Sequence, residues 1–531
     1  MRALLWILCI AACTPSTETD TDTESDTDTE SDTDTESDTD TESDTDTDMQ
    51  ELGSCDGPIR PHLAYAWSDV ISPTETPNII HSGNYGIRDL FDSALVPVED
   101  TWTQLTQNWA NAGEGQRALI MRTWGIDVIP HNHPLDDPYF WDNGTEELTQ
   151  QYQKLAEELE RRGLTPDYVF LDYEWDLSRG MLRTLTEAER ISLSADSRYA
   201  SEFQPLFAQI INRYTGKPAP FTGTTESVLS DPWSLESYKW NRVMSRHINE
   251  IYQTAITKPL LTYFPDVWVS NYDDWVPQDN AYVPDFNGHI QRIITFDDQE
   301  PLAGNRPSIQ LYARMNDLNT GWKNNPDTSV YPTEYAHTPG NALRLAVRKA
   351  SSAYSPELGV DLWVGPKEWS GHPSPTPLAC PELAENDGAA CTSHWEESIL
   401  HSVMLTDGPV IWWVPPPSTA ASDARLQRVL TTLDTLARCD DREPLGALDS
   451  GWEASVLVSG MRVERLNWWR IGYAGDTPPG ADSVLSSETE LRVLWGSKTL
   501  VIPRGKLWSD PNHPQGIWVA QPADAETPFW N

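Results

Sequence analysis

The sequence predicts an α/β fold: a TIM-like (β/α) barrel followed by a small, sandwich-like all-β domain. Three observations lead there. Between residues 55 and 439 short apolar runs alternate with amphipathic helical stretches, the pattern of parallel strands joined by helices. Run after run ends in Trp, Tyr, Asp or Glu, and in a barrel the C-terminal ends of the strands carry the site. From 440 to 531 helical periodicity fades into alternating or β-branched runs separated by Gly, Pro and Asp turns.

The chain opens with an address. Arg2 precedes an apolar run, residues 3–12, too short to cross a bilayer. Ile10-Ala-Ala-Cys13 resembles the lipobox of bacterial lipoproteins, which implies a signal peptide over 1–13, lipidation of Cys13, and an exported protein anchored in a bacterial membrane, periplasmic or at the cell surface. Retention there depends on how many acyl chains the cysteine carries, because one chain binds only marginally.

Residues 14–50 follow as a stalk. Within 17–48 an acidic side chain recurs at every second position, with no basic or apolar residue among them. Such a segment repels itself and has nothing to bury. It lacks the Gly turn and spaced ligands of a calcium loop. It also distorts the charge of the whole chain: of the formal net charge of -44, the stalk supplies 16 negative charges, leaving -28 on the rest. A surface that acidic disfavours nucleic acid as a partner. A mean hydropathy of -0.51 and the lack of an apolar run of about 18 residues exclude a multi-span membrane protein.

Candidate barrel strands are residues 62–67, 118–124, 168–174, 267–272, 308–313, 361–365 and 410–414. The clearest helix is 146–162, with Leu148, Tyr152, Leu155 and Leu159 on one face, basic residues in its last turn, and Gly163 where a C-terminal cap belongs. In the β domain the runs are 454–458, 468–473, 491–495, 499–502 and 516–520. Its seven Trp residues suit core and interdomain packing better than sugar stacking. Four cysteines remain beyond Cys9 and Cys13, allowing three connectivities. Cys380 and Cys391 bracket a polar loop and suit a local bridge; Cys55 and Cys439 would then tie the start of the folded body to its end. No Cys-x-x-Cys or adjacent His pair supports zinc instead.

The chemistry concentrates at Asp167-Tyr-Val-Phe-Leu-Asp172-Tyr173-Glu174. A strand repeats every two residues, so Asp172 and Glu174 share a face at the end of an apolar run. Two carboxylates side by side do not both ionise freely; one is raised toward the range of a general acid while the other stays anionic. The bland alternative has them end a strand in solvent or pair with Arg179.

The segment resembles the Asp-x-Glu signature of glycosidases that use the substrate's own acetamido group, hyaluronidases in particular, whose strand carries Asp-Trp-Glu and then another Trp; here it reads Asp172-Tyr173-Glu174-Trp175. Chitinases have a further Asp two residues before the pair, where this chain has Phe170. The resemblance continues in motif order. Residues 119–130 (LIMRTWGIDVIP), Asn143-Gly144-Thr145 and the long helix precede the acidic strand. Residues 263–275 (YFPDVWVSNYDDW) resemble the strand whose Tyr contacts the acetamido group, which points to Tyr272. Arg306-Pro-Ser-Ile-Gln-Leu-Tyr312 is similar to the family's Pro-Ser-Ile-Tyr strand, and 341–351 to the helix after it. Leu362-Trp-Val and Val410-Ile-Trp-Trp413 match the last strands, and a Cys55–Cys439 bridge matches the terminal bridge of such enzymes.

The resemblance implies a retaining, substrate-assisted glycoside hydrolase acting on a poly- or oligosaccharide that contains N-acetylhexosamine. In that scheme Glu174 is the acid, Asp172 orients the acetamido nitrogen and Tyr272 holds its oxygen. Trp67, Trp124, Trp412 and Trp413 at strand ends are candidates to stack on sugar rings. The chain departs from the family in the longer segment 176–263, in Trp175 directly after Glu174, where the family has an acidic residue before its Trp, and in a β domain unlike the small cysteine-rich module of animal enzymes. The net charge also suits a polyanion badly, unless Arg122, Arg179, Arg314 or Lys367 makes a local basic groove.

Three other readings stay open. Glu368 follows a strand, so Glu174 as acid and base with Glu368 as nucleophile, roughly 5 Å apart, would make an ordinary retaining glycosidase. His131 and His133 invite a metal, but His62, His289 and His394 complete no consistent ligand pattern, so neither metal nor cofactor is expected. A non-catalytic glycan-binding barrel is the third. The body is expected to be a monomer. Because the stalk has no apolar residue with which to dock, deleting residues 17–48 should leave turnover of a soluble glycan within about twofold of the full chain; a larger loss in a steady-state assay would make the stalk part of the site.

Overall fold

Parallel strands form where the apolar runs are. The computed structural model describes residues 63–66, 79–111, 116–122, 144–172, 210–212, 217–218, 249–272, 294–296, 302–310, 347, 350–351, 354, 356–364, 389–413, 429, 442–448, 456–463, 465–473, 483–508 and 516–531, all within a unit reaching from Gly53 to Asn531. In chain order the first strands are β1 (Leu63–Ala66), β2 (Ile79–Tyr85), β3 (Gln116–Arg122), β4 (Tyr168–Asp172), β5 (Ile210–Asn212), β6 (Lys217–Pro218), β7 (Trp268–Asn271), β8 (Ile294–Phe296), β9 (Ser308–Gln310), β10 (Asp361–Val364) and β11 (Val410–Trp413). All the candidate barrel strands are present, with shorter described bounds except for β3, which starts two residues earlier than its candidate. Strand β2 was not foreseen. Its Ile-Ile-His-Ser-Gly-Asn-Tyr mixes apolar and small polar residues, and its register with β3 shifts between His81 and Asn84, so no clean period marks it.

The parallel strands divide into two four-stranded sheets, β2-β3-β4-β7 and β1-β11-β10-β9. Among the described residues the backbone ladders do not join these two sheets into a closed barrel. The physical reason at one seam is a side chain. Between β7 and β9, Asn305 stands in for a strand: its amide donates to the Val267 carbonyl at 2.9 Å and its side-chain oxygen accepts from the Val269 amide at 2.8 Å. The backbone amides of Asn305 and Arg306 both turn to the Val269 carbonyl. A Cβ on Gly304 would lie 2.0 Å from that same carbonyl oxygen, so only glycine lets the turn come this close. Strands β5, β6 and β8 form a separate small antiparallel sheet.

Inside the two sheets one phase of the alternation makes the core. Ala118, Ile120, Tyr168, Phe170, Tyr272, Trp363 and Ile411 form one buried cluster with Trp268 against it. Register sorts the in-phase positions into levels. Ala118, Tyr168 and Trp268 pair at the strand starts, as do Ser308 and Asp361; above them Ile120 pairs with Phe170, and Gln310 with Trp363 and Ile411. Such layers are how a parallel α/β interior fills.

Asp361 occupies the lowest level and is fully buried. Trp268 Nε1 donates to its Oδ1 at 3.0 Å and the Ser308 hydroxyl to its Oδ2 at 2.7 Å. Burial pushes its pKa up to about 7, although hydrogen bonds from Ser308, Ser270 and Trp268 oppose the rise. The carboxyl group thereby bridges the seam from β10 to β7.

The long helix Gly144–Arg161 has the foreseen face: Leu148, Tyr152, Leu155 and Leu159 are buried, each such side chain contributing on the order of 2 kcal/mol. It stops where Gly163 takes φ 69°, with Leu164 N bonded to the Leu159 carbonyl and Gly163 N to that of Glu160, a Schellman cap. Near β7, the π-helical turn Gln253–Thr257 precedes Lys258–Tyr263. Pro259 sits at the start of that second helix, where its missing N–H costs least. The Thr257 hydroxyl donates to the Ala303 carbonyl at 2.6 Å, fastening the helix to the seam turn.

The C-terminal strands are β12 (Arg442–Leu448), β13 (Val456–Val463), β14 (Leu466–Tyr473), β15 (Val484–Ser486), β16 (Glu490–Trp495), β17 (Lys498–Pro503), β18 (Lys506–Trp508), β19 (Gly516–Pro522) and β20 (Phe529–Trp530). They make two antiparallel sheets, β12-β13-β14-β19-β18 and β15-β16-β17-β20. Val456, Val458, Trp469, Ile471 and Tyr473 of one sheet share a core with Leu491, Val493, Leu500 and Ile502 of the other, so the region is a sandwich. Trp468, Trp469 and Trp518 are buried, in keeping with a packing role. Strand β14 is buried on both faces.

The seam carboxyl generates a pH test. The folded pKa of Asp361 stands above its ordinary 3.8, so its contribution to stability is greatest below pH 4 and is lost as pH rises through about 7. Asp361→Asn, which keeps the shape without the charge, should gain stability relative to wild type between pH 5 and pH 8, by about 3 kcal/mol at most. Melting both proteins at the two pH values checks it; an equal difference at both would refute a titrating Asp361.

Candidate active site

Strand ends decide what meets at the top of the sheets. Asp172 is the last residue of β4, in phase with the interior residues Tyr168 and Phe170, and its register partner on β3 is Arg122. Tyr272 directly follows β7, and its backbone amide donates to the Leu171 carbonyl at 2.8 Å. Arg122, Asp172 and Tyr272 therefore occupy adjoining positions at one level across three neighbouring strands. Asp172 and Tyr272 lie a hundred residues apart in the sequence; parallel register puts the two positions side by side.

Tyr272 is buried, and its ring stands edge-on to Trp363 of β10, 5.1 Å between centroids at 86°. Trp363 in turn meets Phe170 at 6.4 Å and 80°. These T-shaped contacts link the acidic strand, the Tyr272 strand and β10 across the gap between sheets, each worth about 1 kcal/mol beyond the area it buries. Tyr168 stacks on Phe170 one level down.

Trp363 is the residue sequence reasoning overlooked as a site residue. Its indole Nε1 is buried and has no hydrogen-bond partner among the described residues. A buried donor without an acceptor costs roughly 1–3 kcal/mol, which a bound acceptor recovers. The sequence signal was its place on a strand already recognised, two residues after Asp361 and so in the same phase; that this phase is the interior one is seen only in the structure.

On the second sheet, β11 separates two candidates. Trp413 is in phase with Ile411 of the interior cluster and pairs with Ala66; Trp412 falls in the opposite phase and pairs with Tyr65 and Val364. Glu174, Trp67, Trp124, Glu368, Cys13, Cys55, Cys380 and Cys439 lie outside the described residues, as do Arg179, Arg314, Lys367, His131 and His133; Cys391 is described in backbone only, on the helix Ala389–Met404. Among the described residues no group of three His, Cys, Asp or Glu is spaced to hold a metal ion, and no helix is long and apolar enough to cross a membrane.

No protein-family model and no curated protein sequence matches the chain. Solved structures to which it is similar include an α-L-fucosidase of family GH29 from Bacteroides thetaiotaomicron, at 10% identity and TM-score 0.33 over 84% of this chain and 79% of that one. A conserved exported protein from Bacteroides fragilis matches at 8% identity and TM-score 0.35 over 83% of this chain and 88% of that one. A family 39 glycoside hydrolase from Bacteroides cellulosilyticus WH2 matches at 8% identity and TM-score 0.30 over 84% and 73%. Glycoside hydrolases thus recur among these neighbours, at a similarity that bears on neither the catalytic residues nor the substrate.

The aromatic wall yields a stability test. Trp363→Ala should cost about 3–5 kcal/mol, as an emptied core site does, whereas Trp363→Phe, which keeps a ring against Tyr272 and drops the unpartnered N–H, should melt within a few degrees of wild type. Thermal melts of both variants check this; a Phe variant as unstable as the Ala one would mean that the indole nitrogen is already satisfied.

Proposed function

We propose that the chain is an extracytoplasmic glycoside hydrolase that cleaves N-acetylhexosamine-containing glycans by a retaining, substrate-assisted route, and that its two parallel sheets are the halves of a (β/α) barrel. The observation that carries the reading is the level shared by Asp172 and Tyr272 on adjoining strands, in phase with the interior. Glu174, two residues on in the sequence, lies outside the described residues and is assigned from its place in the Asp-x-Glu motif.

The chemistry assigns each group one task. Glu174 protonates the glycosidic oxygen as the acetamido carbonyl oxygen of the substrate attacks the anomeric carbon; the bond to the leaving sugar breaks and an oxazolinium forms. Asp172 accepts the acetamido N–H and stabilises the positive charge that develops, and Tyr272 holds the acetamido oxygen in line. Glu174, now a carboxylate, then deprotonates the water that opens the ring, which restores the acid and gives net retention. Trp413 offers a ring face to the sugar, and Trp363 an N–H to one of its oxygens. The lipobox and acidic stalk fit a lipid-anchored enzyme held away from a membrane surface.

Protein lacking residues 1–50 would be assayed by reducing ends on hyaluronan, chondroitin, chitin oligosaccharides and peptidoglycan. Glu174→Gln should lower turnover by roughly 10²- to 10⁴-fold or more and Asp172→Asn severely, with Glu368→Gln mild. A thiazoline mimic of the cyclised intermediate should inhibit. If Glu368→Gln is as damaging as Glu174→Gln and azide rescues it with an inverted glycosyl azide, the enzyme uses a protein nucleophile instead. If glycans bind with no turnover in wild type, the body is a binding protein.

A further inference from the structure

The helix Ala389–Met404 has no solvent face over its second half: every residue from Glu396 to Met404 is buried, among them Glu396, Glu397, Ser398, His401 and Ser402. A helix buried all round needs cover on both sides. Strand β10 lies against it on one side, and β13 and β14 of the sandwich on the other.

Charge fixes the sandwich side. Glu397 receives two hydrogen bonds from the Arg470 guanidinium of β14, one from Nε at 2.9 Å and one from Nη2. Both side chains are sealed from solvent, at 1% and 0% exposure. One turn on, His401 Nδ1 lies 2.7 Å from the Ser459 hydroxyl of β13, and its Nε2 lies 3.4 Å from Glu397. Burial alone would raise the Glu397 pKa, but the Arg470 charge and His401 outweigh it and hold the carboxylate at about 2; burial keeps the His401 pKa below its usual value. Ser459, His401 and Glu397 line up in the order of a serine hydrolase triad. They are sealed from any substrate, and Arg470 already neutralises the acid, so catalysis is not their role.

The sheet is shaped for this contact. Gly472 and Gly516 are register partners on β14 and β19. A Cβ on Gly472 would lie 2.4 Å from His401 Nε2, and one on Gly516 would lie 2.8 Å from the Arg470 guanidinium carbon. The pair leaves a trough in which the helix and the guanidinium fit, with Trp518 as its floor 5.0 Å below. A bidentate pair in such a trough accepts one docking position. A slip of one residue moves a helix side chain by about 1.5 Å along the axis and 100° around it, which breaks both bonds.

The helix is coupled directly to β11. Residues 405–409 connect them; Leu405 and Thr406 bond back to Ser402 and Val403, and the Pro409 carbonyl accepts from Leu362 of β10. Gly408 sits so close to the Val360 carbonyl that its Cβ would lie 2.2 Å away. The connection has no slack. We infer that Arg470, reaching from the sandwich, is a positioning residue for the site: by fixing the helix Ala389–Met404 on Glu397 it sets the height of β11 and of Trp413 at its end. The sandwich is then part of the working body rather than an appended binding module. This rests on the assignment of Trp413 to the sugar platform.

The test uses the full chain with Arg470→Met, Glu397→Leu, Arg470→Lys and the double variant Arg470→Met/Glu397→Leu. Each apolar single variant leaves one buried charge unmatched and should melt well below wild type, whereas the double variant should recover most of the loss. Positioning predicts that the recovery is incomplete in one respect: in the double variant, amide exchange across residues 405–413 stays about tenfold faster than in wild type, and KM rises about tenfold with kcat little changed. Arg470→Lys, charged but not bidentate, should melt near wild type yet show the same fast exchange. A double variant with wild-type exchange and wild-type KM would overturn the inference, leaving the pair as stabilisation alone. Should wild type cleave no glycan, the exchange measurement decides the inference by itself, while the proposed function fails on the assay.

Discussion

Alternation along parallel strands is the constraint on which the molecule depends. A side chain goes to one face or the other with a period of two, and parallel pairing holds neighbouring strands in step. Ala118, Tyr168 and Trp268 meet at the bottom of the interior for that reason, and Arg122, Asp172 and Tyr272 share a level at the top. A slip of one residue in β4 would exchange Phe170 for Leu171 inside and carry Asp172 out of phase. The level shared by Asp172 and Tyr272 therefore inherits its order from the buried layers beneath it.

Two buried polar groups complete what alternation leaves open. Backbone pairing stops between β7 and β9, and there Asn305 and Asp361 make the connections a strand would have made. Between helix and sandwich, Glu397 and Arg470 do the corresponding work. Neither device is efficient as stabilisation, since desolvating a charge offsets much of what its partner returns. Their value is geometric. Apolar surfaces slide past one another at small cost, while a forked ion pair or a bidentate amide is satisfied in one arrangement.

What was legible in the sequence follows from the range of the signal. The helix Gly144–Arg161 and its Gly163 cap are written within two dozen residues, as is the apolar run of β4 ending in Asp172. Strand β2 was illegible because its bulge and polar centre erase both periods. The pairing of Glu397 with Arg470 spans 73 residues and no local pattern announces it. Arg470 alternates with Trp468 and Gly472 in a strand whose opposite phase is also buried, so nothing in β14 separates an interior charge from an ordinary surface one. The contact between β7 and the turn before β9 could not be read either, because a seam held by an Asn side chain looks like a loop. Trp412 and Trp413 stood together as strand-end aromatics until register placed one in phase and the other out of it.

Asp361 and His401 are both enclosed, and their displaced pKa values run in opposite directions along the pH axis. His401, held below its ordinary 6.5, adds stability as pH climbs toward that value. Asp361, lifted from 3.8 to about 7, withdraws stability as pH rises toward 7. Proton uptake at one site on unfolding is opposed by release at the other. The protein thus carries a form of internal compensation: through mildly acidic conditions its melting point should vary less than either group alone would dictate, an acid tolerance that comes from two opposed titrations rather than from an interior without titratable groups.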